Sequence, residues 1–175
     1  IAGGTCYLIN DIFYNVGTNG SANAVKSVAT CYAYSCTIIG NAVGNGIQNS
    51  GGTMVAKNCY ASGDSGYAFY GTITKTTCAS SDHSGSDEAL HAIAVNTTNF
   101  TNVTAGSENF ALPLGSALIN VGTNTSGDAD PLNFTTDIVA RTRGATWDVG
   151  AFEYVAAGGL SIPVAMRTYR NLRSV

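Results

Sequence analysis

The sequence predicts an all-β chain wound as a single-stranded parallel solenoid, and three observations lead there. A unit recurs at a coil-length interval, the composition is that of strands and tight turns, and Gly, Asn or Asp follows each strand at a fixed offset. The 175 residues are 45% hydrophobic and only 11% charged, with 21 Gly and 3 Pro, which marks one ordered domain able to bury a core. Its hydrophobic residues are mostly Ala, Val, Ile and Tyr, mixed with Thr, Ser and Asn, the vocabulary of strands and turns rather than helices.

The repeat is anchored by cysteine. Cys6 and Cys31 each open a Cys-Tyr segment, and the steps from Cys36 to Cys59, from Cys59 to Cys78 and from Cys78 to Thr98 are of similar, slightly shorter length. One column therefore runs Asp11, Cys36, Cys59, Cys78, Thr98, and the position two later runs Phe13, Ile38, Ala61, Ser80, Phe100, on the same strand face. The position before the column, Asn10, Ser35, Asn58, Thr77, Thr97, has short polar side chains suited to hydrogen-bonding the copies above and below. Five before it run Cys6, Cys31, Met54, Ile73, Ile93, all apolar. A coil of this length cannot bury its inner face alone, so neighbours must stack. Each coil adds a rung of roughly 4.8 Å. Four or five coils fit between positions 1 and 105, with turns at Asn15, Gly40-Asn41, Gly63-Asp64, Asp82 and Asn102, residue types that tolerate positive φ.

In this frame Cys36 points into the coil as a small, soft hydrophobe. A zinc site would place cysteines or histidines in close local spacing, whereas these recur once per coil. Stacking brings Cys6 and Cys31 within disulfide range, and five cysteines leave at least one unpaired. Lys75 breaks the inward column of Leu8, Ala33, Ala56 and Val95, which suggests a shifted or bulged coil.

The stretch 106–154 has a different pattern. Gly115-Ser116-Ala117-Leu118-Ile119-Asn120-Val121-Gly122 precedes a loop with Asp137 and Arg141, and then Asp148-Val149-Gly150-Ala151-Phe152-Glu153. This region resembles the C-terminal part of bacterial and phage-associated right-handed parallel β-helix proteins of the choice-of-anchor Q type, whose tail reads approximately G-S-P-A-I-D-x-G and then D-I-G-A-Y/F-E. Ala117 and Asn120 stand where that pattern has Pro and Asp. The resemblance implies a right-handed parallel β-helix, exported or displayed on a particle and often concerned with carbohydrates. It does not imply an activity. These residues are expected to finish the solenoid and cover its strand edges, with Asp137 and Arg141, or Asp148 and Arg143, as pins.

The segment 155–175 reads as a hinge at Gly158-Gly159 and a basic tail in which Met166, Tyr169 and Leu172 alternate with Arg167, Arg170 and Arg173. Without those three arginines the chain has 5 basic and 11 acidic residues, since the whole has 8 and 11. The tail either folds back on that acidic body as a cap or docks on a neighbouring subunit, in which case the chain is a homo-oligomer.

Chemistry is sparse. Both histidines, His83 and His91, lie beside Asp82, Asp87 and Glu88, a stretch better read as a solvated insertion than as a metal site. Lys57 and Lys75 upstream of Asp64 and Asp82 resemble lyase groups, but turn geometry already explains the aspartates. A paired-carboxylate glycosidase lacks its matched couple. No P-loop, nucleophile elbow or dinucleotide fingerprint occurs, so no cofactor is expected. A net charge of −3 implies no nucleic-acid partner, and no apolar run reaches membrane-spanning length. The first residues lack an initiator Met and the marks of a signal peptide, which reads as a processed product or the C-terminal piece of a longer chain. Six Asn-x-Ser/Thr sequons are what a chain so rich in Asn, Ser and Thr supplies by chance. The reading is a non-catalytic structural or surface-binding module of a virion or extracellular assembly: a tail fibre, spike or decoration protein, with surface polysaccharide as a ligand. A carbohydrate-active β-helix enzyme and a bacterial surface adhesin are the alternatives.

Overall fold

The computed structural model describes residues 4–15, 23–39, 44–62, 66–82 and 90–156. Eleven short strands fall into three parallel sheets, and the chain visits the sheets in strict rotation. The strands are β1 (Thr5–Ile9), β2 (Ile12–Tyr14), β3 (Val25–Ser27), β4 (Thr30–Tyr34), β5 (Thr37–Ile39), β6 (Ile47–Asn49), β7 (Met54–Lys57), β8 (Tyr60–Ala61), β9 (Phe69–Tyr70), β10 (Thr74–Thr76) and β11 (Ala79–Ser80). One sheet stacks β1-β4-β7-β10, a second β2-β5-β8-β11, and a third β3-β6-β9. This is an all-β parallel solenoid.

The register reproduces the spacing of the repeat. Cys6 pairs with Cys31, Cys31 with Met54, and Tyr60 with Ala79, so each rung sets one copy of the unit directly on the next. Between the first two sheets the chain turns through one residue per coil in the left-handed region: Asn10 (φ 55°), Ser35 (52°), Asn58 (52°) and Thr77 (50°). Asn tolerates that conformation better than the other two types. The column before the cysteines is therefore polar first because it is a corner.

Immediately after each corner a thiol turns inward. Cys36, Cys59 and Cys78 are fully buried in the coil interior. Each Sγ donates to the carbonyl two residues back (Tyr34, Lys57, Thr76), and Cys59 and Cys78 also donate to Ala33 and Ala56 of the coil below. A thiol is small enough for the interior and a weak donor to corner carbonyls, which a methyl is not. Asp11 lies on the first, half-buried rung, its carbonyl accepting from Thr37. Thr98 departs from the expected column. It is exposed in a turn, where its N–H donates to Asn96 Oδ1 at 3.0 Å, and no fifth coil forms among the described residues.

Lys75 keeps the register of Ala56, so the coil is neither shifted nor bulged. On β10, the outermost strand of its sheet, its Nζ lies 5.5 Å from the centre of the Phe69 ring. Cys6 and Cys31 are neighbours in register, but all five cysteines are free thiols. Burial and the adjacent Cys6 push the Cys31 thiol up to about 12.

Beyond β11 the solenoid does not continue as expected. Leu90 makes one parallel bridge to Ala79, and the described residues from there to position 156 contain only isolated bridges. This region lies along the outside of the second sheet instead of extending the stack. Outward-facing Ile39, Tyr60 and Ala79 pack with Phe100, Phe110, Leu112, Leu118 and Val149 in a core separate from the coil interior. Phe100, expected inside, belongs to this outer cluster and meets Tyr60 edge-on at 5.1 Å.

Candidate binding groove

The two motifs that carry the resemblance meet each other and then grip the corner column. Gly122 bridges Trp147, Val149 N–H donates to Leu118, and the Asp148 carboxylate accepts from the Asn120 and Tyr154 amides. Asn58 is the hub: its Nδ2 donates to the Thr123 carbonyl, its Oδ1 accepts from Thr123 N–H and the Thr77 hydroxyl, and its carbonyl accepts from Gly150 N–H, all within 2.6–2.7 Å. Gly150 has φ 100°, and a Cβ there would stand 2.7 Å from Thr37 Oγ1, so only glycine fits. On the first coil Asn10 donates to Thr136 and accepts from Arg143.

The expected pins exist with other partners. Arg143, its side chain wholly buried, pairs with Glu153 at 3.1 Å and donates to the carbonyls of Asp148, Gly150 and Ala151. Asp137 accepts from the backbone amides of Val139, Arg141 and Glu153 rather than from a guanidinium.

This lateral packing leaves a groove of about 310 Å³ between the outer face of the first sheet and the loop 128–132. Tyr7 and Tyr32, register partners on β1 and β4, stack with ring centres 5.5 Å apart and planes 10° from parallel; Tyr7 is 45% exposed. Tyr34 follows on the same outward face. Lys57 stands 5.1 Å over the Tyr34 ring and bonds Asp128 Oδ2 at 2.6 Å, tying the loop to the sheet. Exposed Asp130 and buried Leu132 complete the lining. Burial by itself would lower the Lys57 pKa, but its bonds to Asp128 and Tyr34 outweigh that and hold it above the ordinary value. Burial likewise raises the Tyr34 phenol.

Of the described residues weighed for lyase chemistry, only Lys57 reaches this groove. Asp82 accepts from Ala68 N–H at 3.1 Å, a turn function, and Asp64 lies outside the described residues. So do His83, Asp87, Glu88 and the whole tail with Met166, Arg167, Tyr169, Arg170, Leu172 and Arg173. Exposed His91 is described, and no group among the described residues is suited to hold a metal. No helix among them is long and apolar enough to cross a membrane.

The tyrosines carried a signal in the sequence: Tyr7 and Tyr32 hold the same repeat position, and Tyr32 and Tyr34 alternate onto one face. Nothing local indicated that Asp128 and Asp130, far along the chain from Lys57, would supply the opposite wall. No family model, curated protein or solved structure matches this chain.

Proposed function

We propose that this chain is a non-catalytic, right-handed parallel β-helix module of a virion or extracellular assembly, such as a tail fibre, spike or decoration protein, which binds surface carbohydrate in the tyrosine groove. The observation that supports it most is the Tyr7–Tyr32 stack, with Tyr7 exposed and Tyr32 half-buried, beside hydroxyl and carboxylate groups in one concavity. The apolar faces of sugar rings pack on aromatic rings, and their hydroxyls need acceptors and donors at the rim. A right-handed winding follows the general preference of parallel crossovers.

The enzymatic alternative would use Lys57 as a base abstracting a proton beside a uronate carboxyl. A lysine base requires a depressed pKa, and Lys57 is held protonated by Asp128. Binding without cleavage is therefore the better reading. An adhesin would use the same groove on a different host surface. Other copies of the chain are the proposed assembly partners.

Affinity electrophoresis through gels containing soluble polysaccharides tests the reading. Retardation by at least one polysaccharide, diminished in Tyr32→Ala, is expected, with no rise in unsaturated-product absorbance. Cleavage abolished by Lys57→Ala would replace this proposal with the lyase.

A further inference from the structure

The charges lining the groove narrow what it accepts. The cation in its lining, Lys57, is spent on Asp128 at 2.6 Å and on the Tyr34 ring. Asp130 adds an exposed carboxylate on the same loop. The lining therefore carries one positive and two negative charges. The described residues as a whole carry five basic and eight acidic side chains, so the wider field reinforces the local sign. Arg141 and Arg143 are engaged with Glu153, by its carbonyl and its carboxylate respectively, and bring no free cation to this wall.

Resting on the carbohydrate-binding reading above, we infer that the groove selects uncharged, hydroxyl-rich polysaccharide and rejects polyuronates. A uronate carboxylate entering beside Tyr7 and Tyr32 would face Asp130 with no unpaired cation in the lining to meet it, and would either suffer repulsion or break the Lys57–Asp128 tie. A neutral hexose meets neither obstacle. Its ring packs on the exposed part of Tyr7, and its hydroxyls donate to the Asp130 carboxylate, a charge-assisted bond that an anionic sugar gains only against repulsion.

The experiment compares dextran, galactomannan and xylan with alginate and polygalacturonate in affinity electrophoresis at low and moderate salt. Wild-type protein should be retarded by at least one neutral polymer and by neither uronate. Tyr7→Ala should weaken neutral binding roughly tenfold, the loss of about one aromatic contact. Asp130→Lys turns the lining net positive without touching the Lys57–Asp128 tie. It should bring in uronate binding that fades with salt. Far-ultraviolet circular dichroism identical to wild type confirms that both variants are folded. Uronate binding by the wild type that equals neutral binding and falls in Tyr7→Ala overturns the selectivity and leaves the groove as the site. Binding that ignores Tyr7→Ala, or no retardation by any polymer, overturns the groove itself and the inference with it.

Discussion

Asn58 shows how one residue serves backbone conformation and tertiary contact at once. It holds a left-handed corner, is fully buried, donates to the Thr123 carbonyl and accepts from the Thr123 amide and the Thr77 hydroxyl. Asn58→Ala should lose those bonds and incur left-handed strain, costing about 3 kcal/mol, whereas Asn58→Gly should cost about 1 kcal/mol less because only the bonds are lost. Ser35 is the converse. It holds the same corner one coil earlier, and its buried hydroxyl has no hydrogen-bond partner among the described residues. Ser35→Gly should stabilise by about 1 kcal/mol. Urea denaturation of the three variants decides whether the corner is what these positions share. In the next column, Cys59→Asp places a charge in the coil interior and should cost about 3 kcal/mol or more. Burial raises the Cys59 thiol well above its ordinary value. A thiol reagent should therefore modify half-exposed Cys6 first and reach Cys59 only as fast as the coil opens.

At the scale of elements, the closing segment is held by buried charge rather than by strand pairing. Glu153→Gln leaves the Arg143 guanidinium buried without its partner and should cost about 3 to 5 kcal/mol. Arg143→Leu with Glu153→Gln removes both charges and should recover part of that loss, as a double-mutant cycle in urea will show. Asp148 gives this segment a pH dependence. Burial raises its pKa, partly offset by the amides of Tyr154 and Asn120. The folded value thus lies above the unfolded one of about 3.9. Its folded state binds the proton more tightly, so its contribution is most favourable in acid and is lost as pH rises through the folded pKa. The stability of wild type relative to Asp148→Asn should accordingly fall as pH rises above about 4. An unchanged difference would place the charge in a solvated site.

Across the whole molecule the coils are unequal. On the first coil Cys6, Leu8, Phe13 and Ala24 are only partly buried, the last three lining an opening of about 180 Å³, whereas Cys31, Ala33 and Ile38 one coil on are sealed. In a stack where each unit relies on its neighbours, the less covered end opens first. Hydrogen exchange should be fastest in β1–β3 and slowest in β5–β8. The exception is the Asn10 amide region, which the closing segment clamps through Thr136 and Arg143. Removing the segment 157–175 separates the two readings of the basic tail: an intact protection pattern with weakened self-association in sedimentation marks it as a docking segment, and lost protection in the coils marks it as a cap.

The sequence by itself determined the coils. A recurring coil-length period, an inward apolar column and a polar corner are local, repetitive facts, and once one coil stacks on another the register follows because a slip would turn every side chain to the wrong face. The left-handed corner was legible only as a polar column, since Asn and Ser suit both a ladder and a turn. Where the repeat ends was not legible, because Thr98 sits at a plausible spacing and only the competing Asx turn at Asn96 removes it. Tertiary structure decided the rest. The segment after position 90 packs outside the second sheet because Ile39, Tyr60 and Ala79 present an apolar outer face there. Arg143 pairs with Glu153, whose carboxylate reaches the buried guanidinium and also accepts from the Gly144 and Asp148 amides, while the Asp148 carboxylate accepts from the Asn120 and Tyr154 amides. The groove exists because that packing brings Asp128 and Asp130 opposite tyrosines from the first two coils, a meeting of distant residues that no local pattern encodes.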